Sequence, residues 1–130
     1  MQPSFERPVF RRARRHCLAL PEVVETSSWN HPNFRAGRKT FCAFEMVHGR
    51  PSIAFRLSRG EVRRALQRKS FFATPYGRGV WVSLWVDTPV DWKTVDALVR
   101  RSYRTVAPKR LVGLLDAATH TPRRRRRRSI

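Results

Sequence analysis

The sequence predicts an α+β fold in which two long helices pack on one face of an antiparallel sheet. Apolar residues recur at helical spacing in two segments, residues 8–20 and residues 92–106. Between them lie short segments that are rich in β-branched and aromatic residues and are separated by turn signals such as Ala36-Gly37. The predicted order of elements is α-β-β-β-β-α-β-β-α.

The first helix is predicted over residues 8–20, because its apolar side chains fall on one face. These are Val9, Phe10, Ala13, Cys17 and Leu20. Arginines occupy much of the opposite face, and Pro21 ends the helix because its ring cannot continue the hydrogen-bond ladder.

Six strands are predicted, four before the middle of the chain and two after it. Their ranges are 23–28, 33–36, 39–47, 52–57, 71–74 and 80–87. The last is the clearest, because valine and leucine alternate with Trp81, Ser83 and Trp85. Such alternation is typical of a strand with two different faces.

Two capping boxes predict the starts of the remaining helices. The residues SRGE at 58–61 begin a short helix that runs to about residue 69. The residues TPVD at 88–91 begin the last long helix, with Pro89 at its first position, and that helix runs to about Val106. Residues 109–116 are predicted to add one more turn.

The predicted domain organisation has three parts. Residues 1–8 form a basic N-terminal arm, residues 9–116 the folded domain, and residues 117–130 an arginine-rich tail. The tail is predicted to be disordered, because it lacks the apolar residues whose burial offsets the entropy of ordering.

The charge of the chain favours a polyanionic partner. It carries 28 basic and 9 acidic residues, a net charge of +19, and residues 123–128 are six consecutive arginines. Residues 16–122 alone hold 17 basic and eight acidic residues, so the folded part is itself basic, at +9. Such a field attracts nucleic acid, an anionic membrane surface or acidic proteins. Codon bias in a GC-rich genome is an alternative cause of the arginine excess.

Neither a metal nor a cofactor is predicted. Cys17 and Cys42 lie in apolar patterns without metal-ligand or disulfide-framework spacing, so both are predicted to be buried, reduced thiols. The histidines also lack metal-ligand spacing. No apolar run approaches the roughly 18–20 residues of a membrane span, and the N-terminus has no hydrophobic signal core. The sequence therefore predicts a cytoplasmic protein.

No catalytic constellation is predicted either. His16 and Cys17 are adjacent, but neighbouring side chains on a helix point about 100° apart. Glu25 could act as a base only with a partner and a pocket, and Ser102-Tyr103 is interpreted as a helix face that packs into the core. The chain is therefore predicted not to be an enzyme.

Several motifs, taken in order, resemble those of the MmcQ/YjbR family of small bacterial proteins. They are Leu20-Pro21 with Glu25, Trp29 and Pro32, then Gly37-x-Lys39-x-Phe41, Tyr76 before a tryptophan strand, and Ser102-Tyr103. The resemblance covers about residues 9–112. It implies a compact α+β domain similar to the bacterial frataxin fold and DNA binding through a double-wing surface. Iron binding is not implied, because the first helix carries arginines where an acidic ridge would be needed.

Two glycine-containing turns are the predicted wings. The first holds Arg35, Arg38 and Lys39, and the second holds Arg78. Such turns present cations and unobstructed backbone N–H groups, both of which suit phosphate oxygens, although basic hairpin turns are often only solvated. The predicted nucleic-acid contacts are completed by Arg11, Arg12, Arg15, Arg123, Arg124 and Arg125.

Aromatic residues suggest a further site. Trp81 and Trp85 share one face of their strand and could stack on unpaired bases, but cover by residues 58–69 or by a second copy is the favoured interpretation. A ligand or stacking site is also predicted from Trp29, His31, Tyr76 and Trp81.

The predicted function is non-enzymatic binding of DNA or another nucleic acid, largely without sequence preference, in the cytoplasm or the bacterial nucleoid. The alternative is a protein-interaction or small-ligand module. The oligomeric state is left open, with a monomer preferred.

Overall fold

The computed structural model describes the backbone of residues 3–128 and the side chains of residues 5–118. A short 3₁₀ helix, Pro3–Glu6, comes first. The further elements are α1 Pro8–Leu18, β1 Val24–Ser28, β2 His31–Ala36, β3 Lys39–Val47, β4 Arg50–Arg56, α2 Arg59–Ala65, β5 Phe71–Ala73, β6 Trp81–Trp85, α3 Trp92–Val106 and α4 Lys109–Arg128. The α+β class and the predicted order of elements are confirmed.

The strands form one antiparallel sheet in the order β1-β2-β3-β4-β6-β5. β4 pairs with β6, so that α2 and β5 form an excursion that ends with β5 at the sheet edge. A register shift lies opposite Phe41, because Phe34 pairs with Cys42 whereas Arg35 pairs with Thr40. Phe41 and Cys42 are both buried as a result of this bulge.

The helices cover only one face of the sheet. The row Phe34, Cys42, Phe55 and Val82 runs across four paired strands and lies in the hydrophobic core. Apolar side chains of all four helices belong to the same core: Phe10, Ala13, Cys17, Val62, Ala65, Val95, Val99, Tyr103, Leu111 and Leu115. The predicted packing of two long helices on one face is therefore confirmed, as is the burial of Ser102 and Tyr103.

The other face carries the row Asn33, Ala43, Ala54, Ser83 and Phe72, which no helix of the described core covers. We call it the open face because no helix packs on it, although Ala43, Ala54 and Ser83 are themselves buried. Cover of this face by residues 58–69 or by a second copy is the predicted interpretation, and its first alternative is wrong. Val62 and Ala65 of α2 pack into the core on the helix side instead, because they are the apolar residues of that short helix.

One capping prediction is confirmed and the other is wrong. The Ser58 hydroxyl accepts from the Glu61 N–H at 3.2 Å, and the Glu61 carboxylate accepts from the Ser58 N–H at 3.1 Å. α3, however, begins at Trp92. Asp91 is its N-cap and accepts from the Lys93 N–H and the Thr94 hydroxyl, both at 3.0 Å. Asp91 caps the helix itself, so Pro89 precedes the first turn.

Both ends of the chain differ from the predicted arm and tail. Phe5 is buried, with its ring 5.3 Å from that of Phe10, so the segment before α1 packs on the domain. The backbone of α4 is helical to Arg128, whereas disorder was predicted from Ala117. That prediction considered only the lack of core-forming residues, while alanine and arginine are good helix formers.

Candidate nucleic-acid interface

The two predicted wings emerge from the same end of the sheet. The β2–β3 turn is closed by the pair Ala36 and Lys39, and the β5–β6 loop follows the pair Ala73 and Val82. Since β3, β4 and β6 are consecutive antiparallel neighbours, both connections lie at one end. The middles of the two hairpins are three strand spacings apart, about 14 Å.

The first turn is held in place by the helix layer. Gly37 has a φ of +72° and lies so close to Pro108 that an added Cβ would be 3.0 Å from the proline ring. Arg35, Arg38 and Lys39 are nevertheless exposed. The turn is therefore anchored on one side while its cations remain in solvent.

The second turn is a compact double bend. The Gly77 N–H donates to the Thr74 carbonyl at 2.9 Å, and the Val80 N–H donates to the Gly77 carbonyl at 3.1 Å. Arg78 is exposed with a left-handed φ of +55°. Arg59, at the start of α2, approaches Gly79 so closely that an added Cβ would lie 2.6 Å from its guanidinium. Arg59 is thus a further cation at this turn, which the sequence analysis missed.

The cations of these turns have no acidic partners among the described side chains. The ion pairs lie elsewhere and join Arg14 to Glu25, Arg50 to Asp87, His16 and Arg100 to Asp96, Arg101 to Glu61, Arg104 to Asp116 and Arg110 to Glu22. Within the described part of the chain, no carboxylate forms an ion pair with the cations of the two turns, which are Arg35, Arg38, Lys39 and Arg78.

The arginines of α1 are exposed on a different surface. The Phe10 ring of α1 packs with its centre 4.8 Å from that of Phe44, on the helix side of the sheet and towards the end opposite the two turns. The Arg12 guanidinium lies 4.5 Å from the centre of the Trp92 ring, and Arg12 and Arg15 border a groove of about 440 Å³ between α1 and α3. Arg11, Arg12 and Arg15 therefore do not adjoin the turns, and the side chains of Arg123, Arg124 and Arg125 lie outside the described residues.

A cavity of about 220 Å³ lies on the open face beside the second turn. Thr40 and Glu45 of β3 border one side, and Thr74, Tyr76 and Trp81 border the other. Tyr76 is 99% exposed with a φ of +61°, and Trp81 is half-buried. The Thr74 hydroxyl lies 2.7 Å from the Ser83 hydroxyl, which ties the loop to β6.

The two tryptophans of β6 have different surroundings. The Trp85 ring has the Phe72 ring 3.9 Å from its centre and the Arg50 guanidinium also at 3.9 Å. Two groups so close to one ring centre must lie on opposite faces, so both faces of Trp85 are covered. Trp81 has neither a ring partner nor a cation partner among the described side chains.

The predicted set Trp29, His31, Tyr76 and Trp81 is only partly brought together. Trp29 is 89% exposed at the tip of the β1–β2 turn, at the opposite end of the sheet from Tyr76 and Trp81. His31 lies nearer to Phe5, with the ring centres 6.4 Å apart. The structure thus joins Tyr76 with Trp81 and separates Trp29 from them.

Glu45 is a candidate residue that the sequence analysis missed. Burial raises the pKa of its carboxyl, an effect that the nearby His31 partly opposes. No described side chain donates a hydrogen bond to this carboxyl. Strand alternation could have placed Glu45 on the same face as Ala43, but only the fold of the Tyr76 loop shows that it borders a cavity.

The candidate catalytic base Glu25 is engaged. Its carboxylate accepts from Arg14 at 2.9 and 3.3 Å.

No cluster of three or more potential metal ligands occurs among the described residues. Cys17 and Cys42 are both buried, and burial raises the pKa of Cys42 well above its ordinary value. Within the described part, no helix has the length and apolarity needed to cross a membrane.

Comparison with known proteins identifies the domain. A family model described as YjbR matches residues 18–105. No curated protein matches the chain significantly.

Two crystal structures have a similar fold. A Deinococcus radiodurans protein of the domain family DUF419 aligns with a TM-score of 0.62 at 21% identity, over 79% of this chain and 84% of that one. A Pseudomonas syringae protein aligns with a TM-score of 0.56 at 12% identity, over 65% of this chain and 87% of that one. At these identities, the likeness shows the fold alone.

Proposed function

The chain belongs to the YjbR family, and we propose that it binds nucleic acid through phosphate contacts made by the two glycine turns at one end of its sheet. One observation carries the proposal. The exposed cations of both turns lie at the same end of the sheet, and no described acidic residue neutralises them.

The spacing of the turns supports this function. Their separation of about 14 Å is close to the roughly 12 Å width of the major groove of B-DNA. Arg35, Arg38 and Lys39 would reach the phosphates on one side of a groove, and Arg78 with Arg59 those on the other. Contacts of this kind fix the position of a protein on the polymer without reading its sequence.

The rigidity of the turns also supports it. Gly37 is packed against Pro108, and the loop before β6 is held by two backbone hydrogen bonds and by the Thr74–Ser83 contact. Cations on a fixed backbone lose less conformational entropy on binding than cations on a mobile loop. The arginine tail would add sequence-independent attraction, and such a protein would act in the cytoplasm or nucleoid without catalysing a reaction.

The test compares two full-length variants that each lose four charges. In the turn variant, Arg35, Arg38, Lys39 and Arg78 are replaced by alanine. In the control variant, four exposed cations away from the two turns are replaced instead: Arg11 and Arg15 of α1, Lys69 before β5 and Lys93 of α3. Affinity for a fluorescent duplex is measured at low salt by anisotropy, with the folding of each variant checked by circular dichroism.

The turn variant is expected to lose at least about tenfold in affinity and the control variant much less, since each lost phosphate contact weakens binding. Equal losses would show that only net charge matters. A larger loss in the control would place the interface on the helix layer, against the proposal.

A small-ligand module is the second candidate function. It is favoured by the half-buried Glu45 carboxyl, which no described donor satisfies, in the cavity beside Trp81. Binding of a neutral ligand there would be insensitive to salt and unchanged in the turn variant, which separates the two functions.

A further inference from the structure

We propose that the open-face cavity between Tyr76, Trp81 and Glu45 receives one unpaired nucleobase that carries an amino group. This inference rests on the proposed function and gives it a substrate class: the protein would prefer single-stranded nucleic acid with accessible bases over a fully paired duplex of the same length.

The first argument is that Trp81 has no aromatic or cationic partner among the described side chains. Trp85, two residues away on the same side of β6, has one ring face covered by Phe72 and the other by Arg50. Trp81 has no such partner in the described region, yet it is half-buried and borders the cavity. A partly exposed aromatic ring without such a partner, at the border of a cavity in a basic protein, offers a surface on which a base can stack.

The second argument is the fixed backbone of the loop that presents Tyr76. Its side chain is 99% exposed, although a tyrosine in a soluble protein usually buries much of its ring. The backbone has a φ of +61°, which a bulky residue rarely adopts. The next residue must be glycine, because a Cβ at Gly77 would lie 2.9 Å from the Trp81 Cβ and 2.9 Å from the Thr74 carbonyl oxygen. The loop is therefore locked against Trp81, with Tyr76 at the mouth of the cavity.

The third argument is the chemistry of Glu45. Glu45 is half-buried, and no described side chain donates to its carboxylate, so a ligand that supplies N–H groups would find a free acceptor there. The exocyclic amino groups of cytosine, adenine and guanine are such donors, and carboxylates accept from the cytosine amino group in protein–DNA complexes. Thymine has no exocyclic amino group, so it is the weaker ligand.

The fourth argument is the size and position of the cavity. At about 220 Å³ it is smaller than the roughly 300–1,000 Å³ of pockets for drug-sized ligands, as expected for a site that takes a single planar ring. Thr40, on its rim, pairs with the exposed Arg35 of β2, and the exposed Arg78 follows Gly77 in the loop on the other side. Cations thus lie on both sides, where the phosphates that flank a bound base would be.

The test uses the full-length protein and three probes of equal length: oligo-dC, oligo-dT and a mixed-sequence duplex. Trp81→Ala is expected to weaken binding of oligo-dC by at least about fivefold and binding of the duplex by less than about twofold. Trp81→Phe, which keeps an aromatic face, should retain most of the affinity and guards against misfolding. Trp29→Ala removes an exposed tryptophan at the other end of the sheet and should change nothing.

Glu45→Gln should weaken oligo-dC more than oligo-dT, because it removes the negative charge that the amino group faces. Equal losses for the two oligomers would overturn the amino-group preference. Unchanged oligo-dC binding in Trp81→Ala, or equal losses for oligo-dC and duplex, would overturn the base site itself.

The failure of this inference can be told apart from failure of the proposed function. If the turn variant binds every polymer as well as the native protein, the phosphate interface is refuted, and cytidine alone then tests the cavity. Quenching of tryptophan fluorescence by cytidine that disappears in Trp81→Ala would support the base site. No quenching in the native protein would refute it.

Discussion

The Tyr103 hydroxyl donates a hydrogen bond to the Pro21 carbonyl oxygen at 2.8 Å, and this contact joins the buried face of α3 to the bend that follows α1. Burial raises the pKa of Tyr103, and the carboxylate of Glu22 adds to the effect. Glu22 in turn accepts from Arg110 of α4 at 2.9 Å. Three helical segments therefore meet around one phenol group.

Replacing Tyr103 by phenylalanine should lower the free energy of unfolding by about 1 kcal/mol, because the Pro21 carbonyl loses its donor while the ring packing stays. Urea denaturation measures the change. Tyr76→Phe, at a solvent-exposed hydroxyl, is the control and should be neutral. Equal stability of Tyr103→Phe and the native protein would show that the hydrogen bond contributes nothing net.

Gly77→Ala should destabilise the protein by about 1–3 kcal/mol, because the new methyl group overlaps the Thr74 carbonyl and the Trp81 Cβ. It should also shift the tryptophan emission, since Trp81 must move. Gly49→Ala is the matched control: its methyl group meets no atom within 4 Å, so only the left-handed φ of +77° costs about 1 kcal/mol. An emission shift in the control but not in Gly77→Ala would contradict this packing.

Glu45→Gln should raise the stability at neutral pH and change its pH dependence. The raised pKa of Glu45 means that the folded state holds the proton more tightly than the unfolded state. The native protein therefore loses stability as the pH rises from the ordinary glutamate value of 4.5 through the raised folded-state pKa, and the glutamine variant lacks this loss. Melting temperatures of both proteins, measured at pH values between the ordinary glutamate pKa and the raised folded-state pKa, give the difference. Parallel curves for the two proteins would contradict a raised pKa, because the other carboxyls are common to both.

Trp85→Ala should cost more stability than Trp81→Ala, by at least about 1 kcal/mol. Trp85→Ala removes the contacts with the stacked Phe72 ring and with Arg50, whose guanidinium donates to Asp87 at 2.7 Å. Trp81→Ala removes only packing against the loop. Urea denaturation of both variants gives the comparison. A larger loss for Trp81 would mean that its ring is structural and would weaken the case for stacking.

The strands and the long helices could be predicted from local pattern, because burial on one side enforces the alternation of β6 and the helical spacing around Phe10 and Tyr103. The start of α3 could not, since Asp91 and Thr88 are both good N-caps and the sequence does not say which one the backbone uses. The face of the sheet on which α2 packs could not be predicted from local sequence pattern either. The apolar side of α2 can pack on either face of the sheet, and only the whole core decides between them.

The candidate site was predicted in part. The glycine turns and their cations follow from residue type, but their common end depends on the β4–β6 pairing, which is long-range. Glu45 and Arg59 were missed because their roles arise from contacts with the loop before β6. The arginines of α1 were included because residue type alone cannot show that they lie on another surface.

The central claim, that the cations of the two turns bind nucleic-acid phosphates, is tested most directly by the salt dependence of duplex binding. The measurement uses full-length protein in which the six tail arginines are replaced by serine, so that only the folded part contributes. The slope of log K against log salt should then fall in magnitude by about 0.9 for each phosphate contact removed, up to about 3.6 for the turn variant. It should change little in the control variant, whose four replaced cations lie away from the turns. Identical slopes for the parent and the turn variant would contradict the claim.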